Sequence, residues 1–318
     1  MTNIFLNKNT KAFLKSQLDP ESRLAQSLLF YGEEHLGKFH AAKIFSKSIL
    51  CENHIWNGCD KCNSCKAFNN NWHSDFKIWN SESDSIKIED LLTLKDFLTY
   101  RPQLSKNRIL IINNADKLTK EAESSLLKLL EEPSKDSIII LISSFSKKLL
   151  PTILSRLLPI RFTKEPEANL KTFLLENSKI KKEDLDFYLE LGQNKIGEIV
   201  HLIENPEYFN EKINNIKTLV EILKNNFIDN TNIIKKITDK DTDLELVVKD
   251  WLGFLHQILI HNNLDLWEKH LKINLSFLND DPNFLRRALR NALQLQNYTA
   301  NYSLNKKLML ETFYLTIK

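Results

Sequence analysis

The sequence predicts an α/β domain of parallel βαβ units followed by two all-helical domains. Three observations carry this. Short apolar runs alternate with amphipathic stretches up to Phe162, the strand signal then stops, and the remainder repeats only helical spacing. With 318 residues, 42% hydrophobic and 27% charged, the chain is long and apolar enough for two or three separate cores.

Ser27–Tyr31 (SLLFY) is a short apolar run ending at Gly32, and an amphipathic stretch follows Gly37-Lys38 through Ile49. Asp75–Trp79 (DFKIW) forms a second strand. Ile88–Thr99 places Leu91, Leu92, Leu94, Phe97 and Leu98 on one helical face. Arg108–Ile112 (RILII) and Ser137–Ile142 (SIIILI) have the uninterrupted apolar character of strands covered on both faces. Between them Glu121–Glu132 reads as a helix stopped by Pro133. Glu165-Pro166-Glu167 marks a boundary, since proline disfavours helix at the residue before it. Residues 167–204 give about three short helices, Pro206 marks a second joint, and 208–318 is helical in pattern, as in Ile216, Leu219, Val220 and Leu223. The expected domains are 1–165, 166–207 and 208–318. Trp251, Phe254 and Trp267 fall at spacings of core or subunit-interface residues.

The charge balance is nearly even, 44 Lys+Arg against 41 Asp+Glu. That excludes a histone-like polycation and gives no independent reason for strong nonspecific nucleic-acid binding. No apolar run approaches the roughly 18 residues of a membrane helix, and Met1 to Asp19 lacks the pattern of a signal peptide. A cytoplasmic chain with no membrane partner is expected. Glycine is scarce, 6 residues where about 7% is usual, so the position of each one is informative.

Two of the six lie in Gly32-Glu-Glu-His-Leu-Gly37-Lys38-Phe39, between a predicted strand and helix. This fits the G-x-x-x-x-G-K phosphate loop and fails at the last position. In a working loop the backbone N–H groups wrap phosphates, the lysine reaches the outer ones, and a Ser/Thr hydroxyl holds Mg²⁺. Phe39 supplies no such oxygen, and Glu33, Glu34 and His35 crowd the phosphate position. The acidic residue expected after an apolar strand is also missing, because Ile109–Ile112 is followed by Asn113-Asn114. Asp116 stands two residues too late to replace it unless the strand bulges. A relic phosphate loop explains these residues better than a chance match, and Mg²⁺ binding and ATP hydrolysis by the chain alone are not expected. Lys38 keeps the charge for passive phosphate binding, against which its acidic neighbours and the missing magnesium groups both work.

All four cysteines fall within one short segment, Cys51-x7-Cys59-x2-Cys62-x2-Cys65. Four thiolates close a tetrahedral zinc shell, and C-x2-C steps let the backbone turn about the ion. A disulfide scaffold would spread its bridges through a small secreted chain. A redox pair needs only one C-x-x-C, and all four cysteines falling within 15 residues argues against buried free thiols, which leaves an iron–sulfur cluster as the alternative to zinc. Four protein ligands leave no open position, so the zinc is structural and not catalytic. His73 is a competing ligand of lesser weight, better read as a core or surface histidine.

A degenerate phosphate loop with a four-cysteine insert after its helix resembles the bacterial clamp-loader AAA+ subunits of DNA polymerase III. The likeness continues through His73-Ser74-Asp75, Ile86–Glu89, Arg101-Pro102 and Ala115–Thr119. It is strongest in Ser125–Pro133 (SLLKLLEEP) and Leu149–Arg156 (LLPTILSR). Asn301 to Leu315 still resembles the family's last helix. Decayed ATPase signatures place the chain nearest the delta-prime branch. The resemblance implies an AAA+ α/β domain with a zinc module at 51–65, a small helical lid and an all-α collar. It implies a subunit with no ATPase activity of its own, working with gamma/tau and delta subunits to load the sliding clamp onto primed DNA. The family's Ser-Arg-Cys motif matches Ser155-Arg156-Leu157, so the cysteine is absent and Arg156 is the implied trans arginine finger, with a structural salt bridge as the alternative. Ser143-Ser144 fall at the sensor-1 position. Gly197 stands where an active subunit carries the sensor-2 arginine, with Lys195 a weak substitute. The rival readings are an active gamma/tau-type ATPase, which isolated-chain hydrolysis would reveal, and a stand-alone zinc-bearing nucleic-acid-binding protein, which salt-dependent DNA affinity without partners would reveal.

Overall fold

The computed structural model describes residues 6–19, 24–80, 85–225, 227–238, 242–279, 281, 283–299 and 305–317. Of the stretch likened to the family's last helix, 301–304 lie outside the described residues. The chain divides into two compact units, 1–166 and 167–318.

The first unit is built on β1 (Ser27–Tyr31), β2 (Phe76–Trp79), β3 (Arg108–Ile112), β4 (Ser137–Ser143) and β5 (Leu158–Arg161). They form one five-stranded sheet in the order β2-β3-β4-β1-β5, every neighbouring pair parallel. Its helices are α1 (Lys8–Ser16), α2 (Lys38–Leu50), α3 (Asn63–Asn69), α4 (Ile88–Thr99), α5 (Lys120–Glu131) and α6 (Pro151–Leu154). The apolar runs are uninterrupted because alternate residues feed two different cores. Leu28, Phe30, Ile109, Ile111, Ile138 and Ile140 pack with Leu14 of α1 and Ala41, Phe45 and Ile49 of α2. Leu29, Leu110, Ile112, Ile139 and Leu141 pack with Leu91 and Leu94 of α4, Leu126 of α5 and Ile153 of α6. The period of two thus sends consecutive side chains to opposite faces, each covered by helices.

Two differences from the sequence reading have local causes. β5 carries little apolar signal because it is an edge strand, where Pro159 removes no needed ladder donor and only Ile160 is buried. The second strand begins at Phe76 and not Asp75, since the Asp75 carboxylate turns aside into a buried polar hub. Its Oδ1 accepts the Gln103 N–H (2.8 Å) and Arg108 Nη2 (3.2 Å), and its Oδ2 accepts the N–H groups of Leu104 (2.7 Å) and Ser105 (3.0 Å). Arg108 also donates to the Phe97 and Arg101 carbonyls. This hub fixes the connection from α4 into β3.

The second unit contains only helices among the described residues. These are α7 (Glu167–Asn177), α8 (Leu185–Leu191), α9 (Ile196–Glu204), α10 (Pro206–Lys224), α11 (Phe227–Ile237), α12 (Leu244–His261), α13 (Leu264–Leu271), α14 (Phe284–Thr299) and α15 (Lys306–Ile317), with a 3₁₀ turn at Ser276–Asn279. A buried apolar cluster runs from Phe187 to Ile317 and holds Trp251, Phe254 and Trp267, all core residues. Trp251 Nε1 donates to the Asn215 carbonyl (2.8 Å) and Trp267 Nε1 to Glu190 Oε2 (2.6 Å), so neither indole is buried unsatisfied. A buried ionic group lies within this unit: Lys212 Nζ sits between Glu198 (2.5 Å) and Asp250 (3.2 Å) and joins α9, α10 and α12. No helix among the described residues is long and apolar enough to cross a membrane.

Candidate functional site

The phosphate-loop residues stand at the carboxyl ends of the strands, the edge where open α/β sheets bind ligands. The chain leaves β1 at Gly32, whose φ is 141° and whose Cβ, if present, would stand 2.3 Å from the Phe162 carbonyl oxygen. Only glycine lets the loop pass β5 this closely. Gly32→Ala is therefore expected to destabilise the first unit by about 2 kcal/mol, read as a lower urea midpoint.

Gly37, in the left-handed region at φ 82°, opens α2. Lys38 follows it and is buried. Its Nζ donates to the carbonyls of Gly32 (2.7 Å) and Glu33 (2.5 Å) and to Ser144 Oγ (3.2 Å). Each ammonium hydrogen thus has an acceptor, and the lysine ties the loop to itself and to the end of β4. Phe39 lies against the apolar cluster under α2, at the position where a working loop places its magnesium-binding hydroxyl. The Glu33 carboxylate faces Lys164 at 3.7 Å.

After β3 come Asn113 and Asn114, the latter at φ 53°, and then a 3₁₀ turn at Ala115–Lys117. Asp116 Oδ1 accepts Ser143 Oγ (2.8 Å) and the Ser144 N–H (3.0 Å). Its carboxylate therefore fastens the end of β3 to the end of β4. The structure brings Gly32, Lys38, Ser144 and Asp116 into one hydrogen-bonded group, in which the hydroxyls of Ser143 and Ser144 serve the protein's own lysine, carboxylate and backbone. In the second unit, Gly197 lies in the first turn of α9, with Lys195 at its N-cap.

The four cysteines converge where α2 gives way to α3. Cys51 caps the end of α2 and Cys62 the start of α3. Their Sγ atoms all lie within 4.8 Å of one another, Cys59 and Cys65 at 4.0 Å. A tetrahedral zinc shell with bonds of about 2.3 Å has sulfur–sulfur edges of about 3.8 Å, so the set fits after small adjustment. The Cys62 N–H points at Cys59 Sγ and the Cys65 N–H at Cys62 Sγ, each at 3.4 Å. Backbone N–H groups of Cys62 and Lys61 favour the Cys59 thiolate and bring its thiol down to about 6, while burial pushes Cys65 up to about 12. A dication held here would supply the charge that keeps all four ionised. Gly58 is required here too: at φ 77°, a Cβ would stand 2.9 Å from Cys65 Sγ and 2.7 Å from Lys47 Cε. Asp60 braces the loop by accepting from Lys47 (2.6 Å) and Asn69 (2.9 Å).

His73 is a buried core histidine with other partners. Its Nδ1 accepts the Asp75 N–H (3.0 Å), which assigns the proton to Nε2, 2.8 Å from Ser64 Oγ; the Ser64 hydroxyl in turn donates to the Leu50 carbonyl (2.6 Å). Burial holds its pKa below the usual value for an imidazole.

Arg156 sits beyond α6, at a different place from the phosphate loop's contacts. Nη1 donates to the Thr152 carbonyl (2.8 Å) and Ser155 Oγ (3.3 Å), and Nη2 pairs with Glu131 Oε1 (2.7 Å) at the end of α5. The side chain is 35% exposed, so it is held by these contacts on the surface of the unit. Glu123 of α5 accepts the Leu150 N–H (3.2 Å) and so joins α5 to the start of α6.

The family described as "DNA polymerase III, delta subunit" matches residues 6–166, half of the chain. The chain belongs to that family. Its curated relatives include both delta' and gamma/tau subunits of DNA polymerase III. It is 30% identical to DNA polymerase III subunit delta' of Bacillus subtilis over 64% of this chain and 61% of that protein. It is 27% identical to subunit delta' of Buchnera aphidicola over 75% and 72%. The Bacillus match spans less than two thirds of that relative. A gamma subunit-related protein of Thermotoga maritima, of known structure, superposes with a TM-score of 0.57 at 18% identity, covering 96% of this chain and 97% of that one, which shows a common fold.

The residues that sequence reasoning missed are Glu131, Glu123 and the Asp75–Arg108 pair. Each acts through a partner distant in sequence, for which spacing offers no signal.

Proposed function

We propose that this chain is the non-hydrolysing, delta-prime-type subunit of a bacterial clamp loader, a cytoplasmic assembly with gamma/tau and delta subunits that opens the sliding clamp and places it on primed DNA. The observation that carries this is the phosphate loop itself. Its backbone turn is kept by Gly32 and Gly37, but its lysine is closed on the loop carbonyls and its magnesium-binding positions hold Phe39 and Asn113. An amide and a phenyl ring neither hold Mg²⁺ nor orient an attacking water. Arg156 is instead offered outward to ATP bound in a neighbouring ATPase subunit, where its planar fixed charge meets the charge that develops on the transferred phosphoryl group.

In this assignment residues 166–207 form the lid and 208–318 the collar that joins the subunits. The four cysteines hold one structural zinc, which supplies a cross-link between α2 and α3 and no reaction step. Family membership and the delta-prime relatives support the partners named. Co-expression with gamma-type and delta-type subunits, read by native mass spectrometry, is expected to show this chain in a stable complex, and the isolated chain is expected to release no phosphate from ATP. Hydrolysis by the isolated chain would favour the active gamma/tau-type reading, and failure to assemble would remove the clamp-loader role.

A further inference from the structure

We propose that Glu131 is the positioning residue for Arg156: it holds the guanidinium in the orientation in which it meets a neighbouring subunit's nucleotide. This rests on the arginine-finger reading and adds a second residue to it. The contact joins two elements, since Glu131 ends α5 whereas Arg156 follows α6. Together with the Thr152 carbonyl and Ser155 Oγ, Glu131 gives the guanidinium three acceptors on two of its nitrogens. A long side chain with several free torsions is thereby fixed before any ligand arrives, and both segments are braced by the Glu123–Leu150 hydrogen bond.

Helix stability does not account for a carboxylate at this place. The last turn of α5 presents unpaired carbonyls and the negative end of the helix dipole, where acidic side chains are unfavourable. The favourable acids of the same helix, Glu121 and Glu123, are in its first turn, and Thr119 caps it by accepting from the Ala122 N–H. Stability of the fold does not account for it either. The pair is 35% and 48% exposed, and ion pairs this open add little to folding. The geometry does serve orientation, because a guanidinium has five N–H donors and can give one to a carboxylate while presenting others to a phosphate.

The test is a mutant cycle in the reconstituted loader with clamp and primed DNA, comparing native chain, Glu131→Ala, Glu131→Gln, Arg156→Ala and the Glu131→Ala/Arg156→Ala double variant. DNA-dependent kcat is expected to fall about two- to fivefold in Glu131→Ala. The KM for ATP and the melting temperature are expected to stay at native values. Glu131→Gln, which still accepts a hydrogen bond, should recover part of the rate. On the Arg156→Ala background, loss of Glu131 should have no further effect. An impaired Arg156→Ala beside a fully active Glu131→Ala would overturn the positioning role and leave the finger standing. So would an equal loss from Glu131→Ala in both backgrounds. Native rates with Arg156→Ala would remove the finger itself, and this proposal with it.

Discussion

Replacing Asp75 with alanine is expected to lower the stability of the first unit by about 3–5 kcal/mol, because it strands a buried arginine. Asp75 is fully buried and Arg108 nearly so. The carboxylate satisfies three backbone N–H groups in the turn before β3 as well as the guanidinium. Asparagine should be nearly as harmful, since its amide hydrogens would face donors. The effect should also depend on pH in a definite sense. Burial raises the Asp75 pKa, but the N–H groups of Gln103, Leu104 and Ser105 outweigh it and hold the carboxyl below its ordinary value. A carboxyl depressed in the folded state stabilises fully above its unfolded pKa of about 3.9 and loses that contribution as pH falls through the folded value. Urea unfolding of native and Asp75→Asn chains should therefore show a gap that is constant from neutral pH to about 5 and narrows below about 4. A gap independent of pH would contradict the assignment.

The second large effect concerns the metal. Purified chain is expected to carry about one zinc ion, and Cys65→Ser to lose it. The segment from Cys51 to Asn69 has few other means of holding its shape. It contains four residues with positive φ (His54, Asn57, Gly58 and Asp60), and its braces to neighbouring residues include the Asp60 contacts, the Asn57 N–H bond to Ser48 and the bonds of Ser64 to Leu50 and His73. Metal binding by such a module is largely its folding free energy. Limited proteolysis should thus cut Cys65→Ser or chelated protein within 51–69 and spare the native chain. Zinc content by atomic absorption checks the first half. A metal-free native chain whose cysteines react at once with a thiol reagent would refute it.

Much of the first unit was legible because its strands are covered on both faces. Apolar runs such as RILII and SIIILI have no other reading at that length between helical stretches. The edge strand Leu158–Arg161 was not, since half-exposed pairing leaves no hydrophobic signature. The cysteine cluster was readable from spacing alone, and the structure gathers all four sulfurs. What spacing did not reveal is how polar groups are shared. By motif Asp116 is a misplaced acid, and its bonds to Ser143 and Ser144 give it a structural task. Lys38 was legible as a phosphate ligand by motif, yet its contacts with the loop carbonyls depend on the path of the backbone. Arg156 was legible only through its motif; the carboxylate paired with it lies 25 residues earlier at the end of another helix.

In the proposed role this chain gives a catalytic group to a neighbour and performs no hydrolysis itself. The most direct measurement is DNA-dependent ATP turnover by the reconstituted loader with native or Arg156→Ala chain, assembly being verified on the same samples. The variant is expected to assemble normally and to slow turnover at the adjacent site by about tenfold or more. Native turnover by the fully assembled Arg156→Ala complex would contradict the claim.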